Sequence, residues 1–333
     1  MKYLITGGAG FVGSHLTDAL VADGHDVLLL DNLSTGRLEN VEHLLGTGRV
    51  ELILGSVTDA ALVEDCMLSV DRCVHLASAV GVQLIVDHPL ETMLENVRGI
   101  DLVLASAARL GRRVLFASTS EVYGKQSHGP LAEDADLIIG SPAKGRWSYA
   151  IAKCYGESVA HSYYTDQGAE TMVVRLFNAV GPRQSARYGM VLPRLVGQAL
   201  RGDDLTVYGK GSQTRCFTHV LDTVQAIRML CDSDGAVGRT FNVGGSTPVA
   251  IVELAERIIE RTGSSSQIVR LSYEEAYAPG FEELGMRRPD TTALEELTGW
   301  SPARTLDAAI EDVILHESAA ALAGDRTGIE QAA

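Results

Sequence analysis

The stretch that decides the fold is Lys2-Tyr-Leu-Ile-Thr6-Gly7-Gly8-Ala9-Gly10-Phe11-Val12-Gly13, followed by a helical segment and by Val27-Leu-Leu-Leu-Asp31. A short apolar run leads into a glycine-rich turn, an amphipathic segment and a second apolar run that ends in an acid. Gly8, Gly10 and Gly13 satisfy G-x-G-x-x-G, and the looser G-x-x-G-x-x-G begins at Gly7. Glycines at these positions allow a tight turn and a close approach of backbone to a pyrophosphate at a helix N-terminus. The stretch therefore predicts a dinucleotide-binding strand–turn–helix–strand unit.

Asp31 indicates which dinucleotide is bound. It follows Gly13 by 18 residues, where an acid can bond both ribose hydroxyls of an adenosine. The same acid would repel a 2′-phosphate, so we expect NAD as the cofactor and not NADP. The alternative is a purely structural turn in another α/β protein, which the combination of strand, turn, helix and acid disfavours.

Composition excludes several classes of protein. The chain has 333 residues, 46% hydrophobic and 21% charged, as in an ordinary globular protein of two domains or of one with a second lobe. No apolar stretch approaches the roughly 18–20 residues of a membrane helix, and the N-terminus does not resemble a signal peptide. The five cysteines are scattered without C-x-x-C, and the nine histidines form no H-x-x-x-H pair. We therefore expect a cytoplasmic protein with reduced thiols, no membrane partner and no metal.

The distribution of charge indicates the kind of ligand. The net charge of −15 argues against a nucleic acid partner. Residues 175–218 nevertheless hold seven Lys/Arg and two acids, which makes that segment +5 and the remainder −20. Solvated surface arginines are the alternative, but several of these arginines lie among Gly, Pro and aromatic residues. A basic segment in an acidic protein suggests a site for an anionic small molecule.

Helix and strand patterns alternate through the first half of the chain. Strand-like runs fall at 2–6, 26–31, 50–54, 72–76, 113–118 and 171–176, and amphipathic stretches at about 12–23, 58–68, 91–110 and 148–167. This alternation predicts an α/β fold, a doubly wound parallel Rossmann sheet with helices on both faces. Further helices are expected at 190–201, 220–232, 250–262 and 305–320. We expect an NAD-binding domain over 1–177, completed by a strand at 240–243 within 216–245. A discontinuous, smaller α/β substrate lobe over 178–318 and a disordered tail over 319–333 would follow.

Two polar clusters carry the predicted chemistry. Ser118-Thr119-Ser120-Glu121-Val122-Tyr123-Gly124 closes a strand-like run, and Tyr149 and Lys153 are four apart, on one face of a helix. A neighbouring lysine lowers the pKa of a phenol, so Tyr149 can take a proton from a sugar hydroxyl as hydride leaves for nicotinamide. Thr119 or Ser120 would orient the same oxygen, and Glu121 is the single acid of the loop. The alternative is that Tyr149 and Lys153 are exposed helix residues without a catalytic role, which the order of the motifs disfavours.

The chain resembles the extended short-chain dehydrogenases/reductases that act on nucleotide sugars. The resemblance runs from Met1 to about residue 316. Besides the motifs above it includes Asp31-Asn32-Leu33-Ser34-Thr35-Gly36, His75-Leu76-Ala77, Arg175-Leu-Phe-Asn178-Ala-Val-Gly-Pro-Arg183, Val207-Tyr208-Gly209, Gly211-Ser-Gln-Thr-Arg215-Cys-Phe-Thr-His219-Val-Leu-Asp222 and Arg287-Arg288-Pro289-Asp290.

The resemblance implies roles for individual residues. NAD would be bound by Gly7, Gly10, Phe11, Val12, Asp31, Asn32, Ser34, Gly36, Ser56, Val57, Leu76, Ala77, Ala79, Asn96, Tyr149 and Lys153. The family usually has Asp where Ser56 stands, and Asn96 is either structural or on the nicotinamide side. A UDP-sugar would be bound by Thr119, Asn178, Arg183, Val191, Leu192, Tyr208, Arg215, Arg287 and Arg288. The arginines suit a diphosphate because guanidinium binds phosphate oxygens bidentately.

Three reactions share oxidation of the sugar C4 hydroxyl as their first step: 4-epimerisation, decarboxylation of a uronic acid, and dehydration across C5–C6. The Thr119-to-Gly124 loop resembles UDP-glucuronate decarboxylases and UDP-glucuronate 4-epimerases alike. The decarboxylases usually begin the catalytic helix with Cys-Tyr-Asp-Glu-Gly-Lys, whereas this chain has Ser148-Tyr-Ala-Ile-Ala-Lys153. We therefore favour a 4-epimerase that converts UDP-glucuronic to UDP-galacturonic acid, with Thr119, Ser120 and Arg183 holding the carboxylate so that CO2 is retained.

Other activities are weaker alternatives. A UDP-glucuronate decarboxylase comes next, then a UDP-glucose/UDP-galactose 4-epimerase. A dehydratase would need an Asp-Glu pair in the loop, where only Glu121 stands. A non-catalytic NAD-binding regulator would lack the Tyr149/Lys153 pair. Members of this family commonly form homodimers, and the segments 91–110 and 148–167 are apolar enough for that.

Overall fold

The computed structural model describes residues 1–126, 129–186, 190–276 and 287–330. Its strands are β1 Lys2–Thr6, β2 Asp26–Asp31, β3 Val50–Leu54, β4 Arg72–His75, β5 Arg113–Thr119, β6 Thr171–Leu176, β7 Ala179–Val180, β8 Leu205–Tyr208, β9 Thr214–Cys216, β10 Thr218–His219, β11 Thr240–Val243, β12 Pro248–Ala250 and β13 Ile268–Leu271. Its α-helices are α1 Phe11–Ala22, α2 Ala60–Leu68, α3 Val82–Asp87, α4 Pro89–Leu110, α5 Ser148–Gln167, α6 Val191–Arg201, α7 Val220–Asp232, α8 Ile251–Thr262, α9 Tyr273–Ala276, α10 Thr292–Thr298 and α11 Leu306–Glu330. Short 3-10 helices include Ser120–Tyr123 and Gly145–Trp147.

Seven parallel strands form the central sheet, in the order β11-β6-β5-β4-β1-β2-β3. The chain builds outward from β1 to β3 on one side and from β4 to β11 on the other. The order therefore reverses between β1 and β4, and ligands of open α/β sheets bind at the carboxyl ends of strands at such a point. The prediction of a doubly wound Rossmann sheet is confirmed, as is the return of residues 240–243 to that sheet beside β6.

Both faces of the sheet are covered by helices, because successive strand residues point to opposite faces. On one face, Ile5 and Leu29 pack in a buried cluster with residues of α1 and α7. On the other face, Leu4 and Leu28 pack with residues of α2, α4 and α5. The long helices α4 and α5 end at Gly111 and Gly168, whose φ angles of 63° and 68° suit the left-handed conformation that glycine adopts most readily.

The second lobe has its own hydrophobic core. Residues of α6, α8 and α11 pack there against Leu205 and Val207 of β8, which pairs in parallel with β13. This two-stranded sheet and the short helices α3 and α10 were not predicted from the sequence. The helix α11 continues to Glu330, into the segment for which the sequence predicts a disordered tail.

Candidate active site

One cavity of about 670 Å³ lies along the carboxyl ends of the central strands. Its lining combines the glycine turn after β1, the acid that ends β2, the loops after β3 and β4, and the polar cluster after β5. Tyr149 and Lys153 of α5, the residues after β6 and Arg287 complete it. The topology thus brings both halves of the predicted constellation, the dinucleotide turn and the catalytic cluster, to one continuous site.

The glycine turn leaves room for a ligand to approach the backbone closely. Gly7 has a φ of +72°, and a Cβ there would lie 2.8 Å from the backbone nitrogen of Ala77, closer than side-chain carbons can stand. Gly10 donates its N–H to the carbonyl of Gly7 over 3.1 Å, which closes the turn directly before α1. Gly7, Gly10, Phe11 and Val12 line the cavity. A pyrophosphate fits this cradle because no side chain fills it and a helix N-terminus follows.

Asp31 is held in place by its neighbours at the adenosine end. Its two carboxylate oxygens accept the backbone N–H groups of Ala9 and Leu33 over 2.9 and 2.8 Å. Burial raises its pKa above the ordinary range, opposed by these two hydrogen bonds. Each oxygen keeps a lone pair for a ribose hydroxyl. Gly36 lies behind the acid, where a Cβ would be 3.0 Å from one of the carboxylate oxygens.

The other predicted cofactor residues lie along the same wall. Those that line the cavity are Asn32, Ser34, Ser56, Val57, Leu76, Ala77, Ala79 and Asn96. The Asn96 amide oxygen accepts Ser78 Oγ over 2.9 Å and the Ala79 N–H over 2.8 Å, and its nitrogen donates to the Ala79 carbonyl. Asn96 therefore fixes the loop that follows β4. These placements fit an extended NAD molecule.

The predicted catalytic pair lies at the far end of the cavity. Tyr149 and Lys153 are buried on one face of α5, and the ammonium of Lys153 is 5.8 Å from the centroid of the Tyr149 ring. Lys153 Nζ donates to the Ala117 carbonyl over 2.8 Å. Burial lowers the pKa of Lys153 to about 7, opposed by the charge of Glu157.

In this structure the pKa of Tyr149 is not lowered, contrary to the prediction from its neighbouring lysine alone. Burial raises the pKa of Tyr149, and the negative charge of Glu121 raises it further, while a hydrogen bond with Ser78 opposes both. Removal of the phenolate from water disfavours its charged form and outweighs the effect of the neighbouring lysine.

Glu121 forms an ion pair that was not expected from the sequence. Arg146, in the turn before α5, donates to its two carboxylate oxygens over 2.5 and 3.3 Å. Burial would raise the pKa of Glu121, but the charges of Arg146, Arg287 and Arg215 hold it below the ordinary range. Arg287 Nη1 also donates to Ser120 Oγ over 3.2 Å. We call Ser120, Glu121, Arg146 and Arg287 the arginine corner; its net charge is positive.

The remaining predicted substrate residues are spread more widely. Thr119 and Asn178 line the cavity; Thr119 Oγ1 accepts the Glu121 N–H over 3.2 Å, and the Asn178 amide donates to the Cys216 carbonyl. Among the described residues, the cavity lining does not include Arg183, Val191, Leu192, Tyr208, Arg215 or Arg288. Arg183 instead pairs with Asp18 of α1 over 2.7 Å.

Comparison with known proteins identifies the family. The model of the family described as GDP-mannose 4,6 dehydratase matches residues 4–313. The chain belongs to this family. Members of the GDP-mannose 4,6-dehydratase family are extended short-chain dehydrogenases/reductases, and this member is an NAD-dependent enzyme that acts on nucleotide sugars.

Relatives within the family differ in the reaction their names give. The chain is 40% identical to UDP-N-acetyl-alpha-D-glucosaminuronate decarboxylase of Bacillus cytotoxicus, over 94% of this chain and 96% of that protein. It is 38% identical to UDP-glucuronic acid decarboxylase 1 of Xenopus tropicalis, over 94% of this chain and 71% of that protein. The solved UDP-glucuronic acid 4-epimerase of Bacillus cereus, in complex with UDP-glucuronic acid and NAD, superposes with a TM-score of 0.85 at 26% identity, covering 95% of this chain and 98% of that one.

In the described ranges, no helix is both long and apolar enough to cross a membrane. Within the same residues, no group of three or more His, Cys, Asp or Glu side chains is arranged to hold a metal ion.

Proposed function

We propose that this family member is a decarboxylase of a UDP-linked hexuronic acid, either UDP-glucuronic acid or its 2-acetamido form. The observation that carries the proposal is the arginine corner, in which Arg287 lines the cavity together with Tyr149, while Glu121 is paired with Arg146. A sugar carboxylate is the group that guanidinium side chains recognise there. The names of the two decarboxylase relatives, at 40% and 38% identity, support the same reaction.

The helix start that favoured the epimerase carries less weight in the light of the structure. Tyr149 and Lys153 are the α5 residues that line the cavity in the described part of the chain. Ala150, between them, packs in a buried cluster with Trp147 instead. The helix residues in which this chain differs from the usual decarboxylases therefore do not line the cavity, so the difference argues little about the reaction.

The carboxylate clamp proposed for an epimerase is also incomplete. An epimerase must hold the C5–C6 bond near the plane of the 4-ketone, or CO2 is lost. Arg183, one of the three residues expected to do so, is paired with Asp18 of α1. Thr119 and Ser120 alone offer hydroxyls, which are weaker partners for a carboxylate than a guanidinium.

The reaction would begin at Tyr149, whose phenolate form would take the proton of the sugar O4 hydroxyl. Bound NAD⁺ would accept the C4 hydride, return it at the end, and bring a positive charge that favours the phenolate form of Tyr149. The resulting 4-ketone stands β to the carboxylate. When the C5–C6 bond breaks, CO2 leaves and the electron pair is delocalised onto O4. The protonated Tyr149 would then donate a hydrogen bond to that oxygen, and C5 would take up a proton from water.

The arginine corner would orient the carboxylate during this step. Arg287, which bonds Ser120, would bind the carboxylate with the C5–C6 bond perpendicular to the ketone plane, the orientation that loss of CO2 requires. Glu121, held ionised by Arg146, places a negative charge nearby. That charge disfavours a second carboxylate in the same corner, so release of neutral CO2 is favoured while the arginines still admit the substrate.

The proposal is tested with UDP-glucuronic acid labelled with ¹³C at the carboxyl group. We expect the wild-type enzyme with NAD⁺ to release labelled CO2, Tyr149→Phe to lose 10²-fold or more, and Arg287→Met to lose at least tenfold. Arg183→Met is the matched control, because it removes an arginine outside the cavity lining, and it should retain CO2 release. No labelled CO2 from either UDP-glucuronic acid or its 2-acetamido form would refute the proposal.

We also propose that the enzyme is a homodimer formed through α4 and α5. The two helices pack together and leave Leu90, Leu94 and Tyr155 exposed on their outer faces. Burial of such side chains is favourable at about 25 cal/mol per Å². A monomer mass in light scattering would contradict the dimer. The cytoplasmic location stays a prediction.

A further inference from the structure

Asn242 is a buried polar residue in β11, at the edge of the central sheet and outside the cavity lining. Its side chain is fully buried and every polar atom of its amide has a partner. The amide oxygen accepts Tyr123 Oη over 2.8 Å. The amide nitrogen donates to the carbonyls of Leu131 and Asp290 over 2.8 and 3.0 Å. One side chain therefore joins three separate segments of the chain.

One of these segments carries Arg287. Residues 287–290 run beside Leu131 as a short parallel bridge. The Leu131 N–H donates to the Arg288 carbonyl over 2.8 Å, and the Asp290 N–H donates to the Leu131 carbonyl over 3.0 Å. Because Asn242 bonds the carbonyls of both Leu131 and Asp290, it fixes the end of this segment, from which the buried Arg287 reaches Ser120 Oγ.

A second segment carries Ser120 and Glu121. Tyr123 closes the 3-10 helix Ser120–Tyr123, and its hydroxyl is the group bonded to Asn242. The ring of Tyr123 lies 4.8 Å from the guanidinium of Arg175, which is paired with Glu157 of α5 over 2.7 Å. Asn242 thus sets the distance between the two parts of the arginine corner, the loop after β5 and the Arg287 segment.

We propose that Asn242 is a positioning residue for Arg287, and that it gives the enzyme its preference for substrates with a carboxylate. This inference rests on the proposed function, in which Arg287 binds that carboxylate. A guanidinium displaced by about 1 Å loses the geometry of a charge-assisted hydrogen bond, and misplacements of that size cost on the order of 10²-fold in enzymes. In the proposed function Arg287 binds the carboxylate and not the diphosphate suggested by the family resemblance, so binding of the nucleotide and of NAD should not change.

The test compares binding of UDP-glucuronic acid with binding of UDP-xylose, which lacks the carboxylate, by calorimetry on the enzyme loaded with NADH, which cannot accept the C4 hydride and so does not turn the acid over. Asn242→Asp keeps the shape and the acceptor for Tyr123 but cannot donate to the two carbonyls. Asn242→Ser removes the bonds to the two carbonyls without adding a charge, and it also removes the amide oxygen that accepts Tyr123 Oη. We expect both variants to lose at least tenfold in the affinity ratio of the two ligands, with UDP-xylose binding little changed.

The reference is Arg287→Met, and the double variant with Asn242→Ser should lose no more than Arg287→Met alone, since both act through one side chain. Equal loss of affinity for both ligands, or for NAD, would show a merely structural role and overturn the inference. An unchanged ratio in both Asn242 variants would overturn it as well. If the wild-type enzyme does not prefer UDP-glucuronic acid, or Arg287→Met does not change the ratio, the proposed role of Arg287 fails first.

Discussion

Because His75 is buried, we predict that the protein loses stability in acid, by an amount that follows from the pKa of this residue. It ends β4 beneath the cavity and is 1% exposed, with Nδ1 2.7 Å from Thr6 Oγ1 and its ring stacked on Phe116. Burial, helped by the positive charge of Lys153, lowers its pKa from an ordinary 6.5 to about 3. The folded protein therefore holds this imidazole neutral at a pH where the unfolded chain protonates it.

The sign and the size of the effect follow by linkage. Between pH 6.5 and pH 3 the unfolded state binds a proton that the folded state does not, so the free energy of unfolding falls as the pH falls. Above pH 6.5 neither state is protonated, and His75 has no effect. At about 1.4 kcal/mol for each pH unit, lowering the pH from 8 to 5 costs about 2 kcal/mol of stability through His75 alone.

Urea unfolding at pH 8, 6 and 5 measures this cost when the wild type is compared with His75→Asn, which keeps a partner for Thr6 but does not titrate. The variant should be less stable at pH 8, because its smaller side chain leaves a cavity. Its stability should nevertheless fall about 2 kcal/mol less than that of the wild type between pH 8 and pH 5. His15, whose pKa burial also lowers, to about 4, titrates in both proteins and cancels. Equal losses in the two proteins would refute the assignment.

Three further predictions concern the cofactor site and the core. Gly7→Ala should lower NAD affinity at least tenfold in fluorescence titration. The control Gly168→Ala, also at positive φ but with open space around the new Cβ, should lower stability by only about 1–2 kcal/mol and leave NAD affinity unchanged. Equal NAD affinities in the two variants would contradict the role of the glycine turn in binding the pyrophosphate. Glu157→Gln breaks the buried ion pair with Arg175 and should lower the free energy of urea unfolding by about 3–5 kcal/mol. Glu253→Gln breaks a surface ion pair and should lower it by only about 0–1 kcal/mol. Similar losses in the two variants would argue against a special contribution of the buried pair. Asp31→Ser should improve NADP binding relative to NAD by tenfold or more, and an unchanged ratio would exclude the proposed selection by Asp31.

Much of the fold follows from local sequence patterns. The helices 148–167 and 220–232 were predicted with the bounds that the structure has, because both have apolar residues at helical spacing and clear ends. The parallel pair of 205–208 with 268–271 was missed, since its partners are short and about 60 residues apart. No local sequence pattern predicts that such segments pair.

The site was predictable where it depends on sequence motifs, and not where it depends on burial or on contacts between distant segments. The glycine turn, Asp31 and the Tyr149/Lys153 pair lie together in the cavity, as the order of the motifs suggests. Arg146 was missed because its partner Glu121 is 25 residues away and both lie in short 3-10 helices, which have no clear sequence pattern. The raised pKa of Tyr149 was missed because burial is a property of the whole fold.

The measurement that tests the central claim most directly is the NMR and mass-spectrometric analysis of the product that the wild-type enzyme forms from UDP-glucuronic acid in the presence of NAD⁺. We predict a UDP-pentose that has lost CO2 and carries two hydrogens on C5. A product of unchanged mass, with the carboxylate retained and the C4 proton inverted, would contradict the account and identify a 4-epimerase.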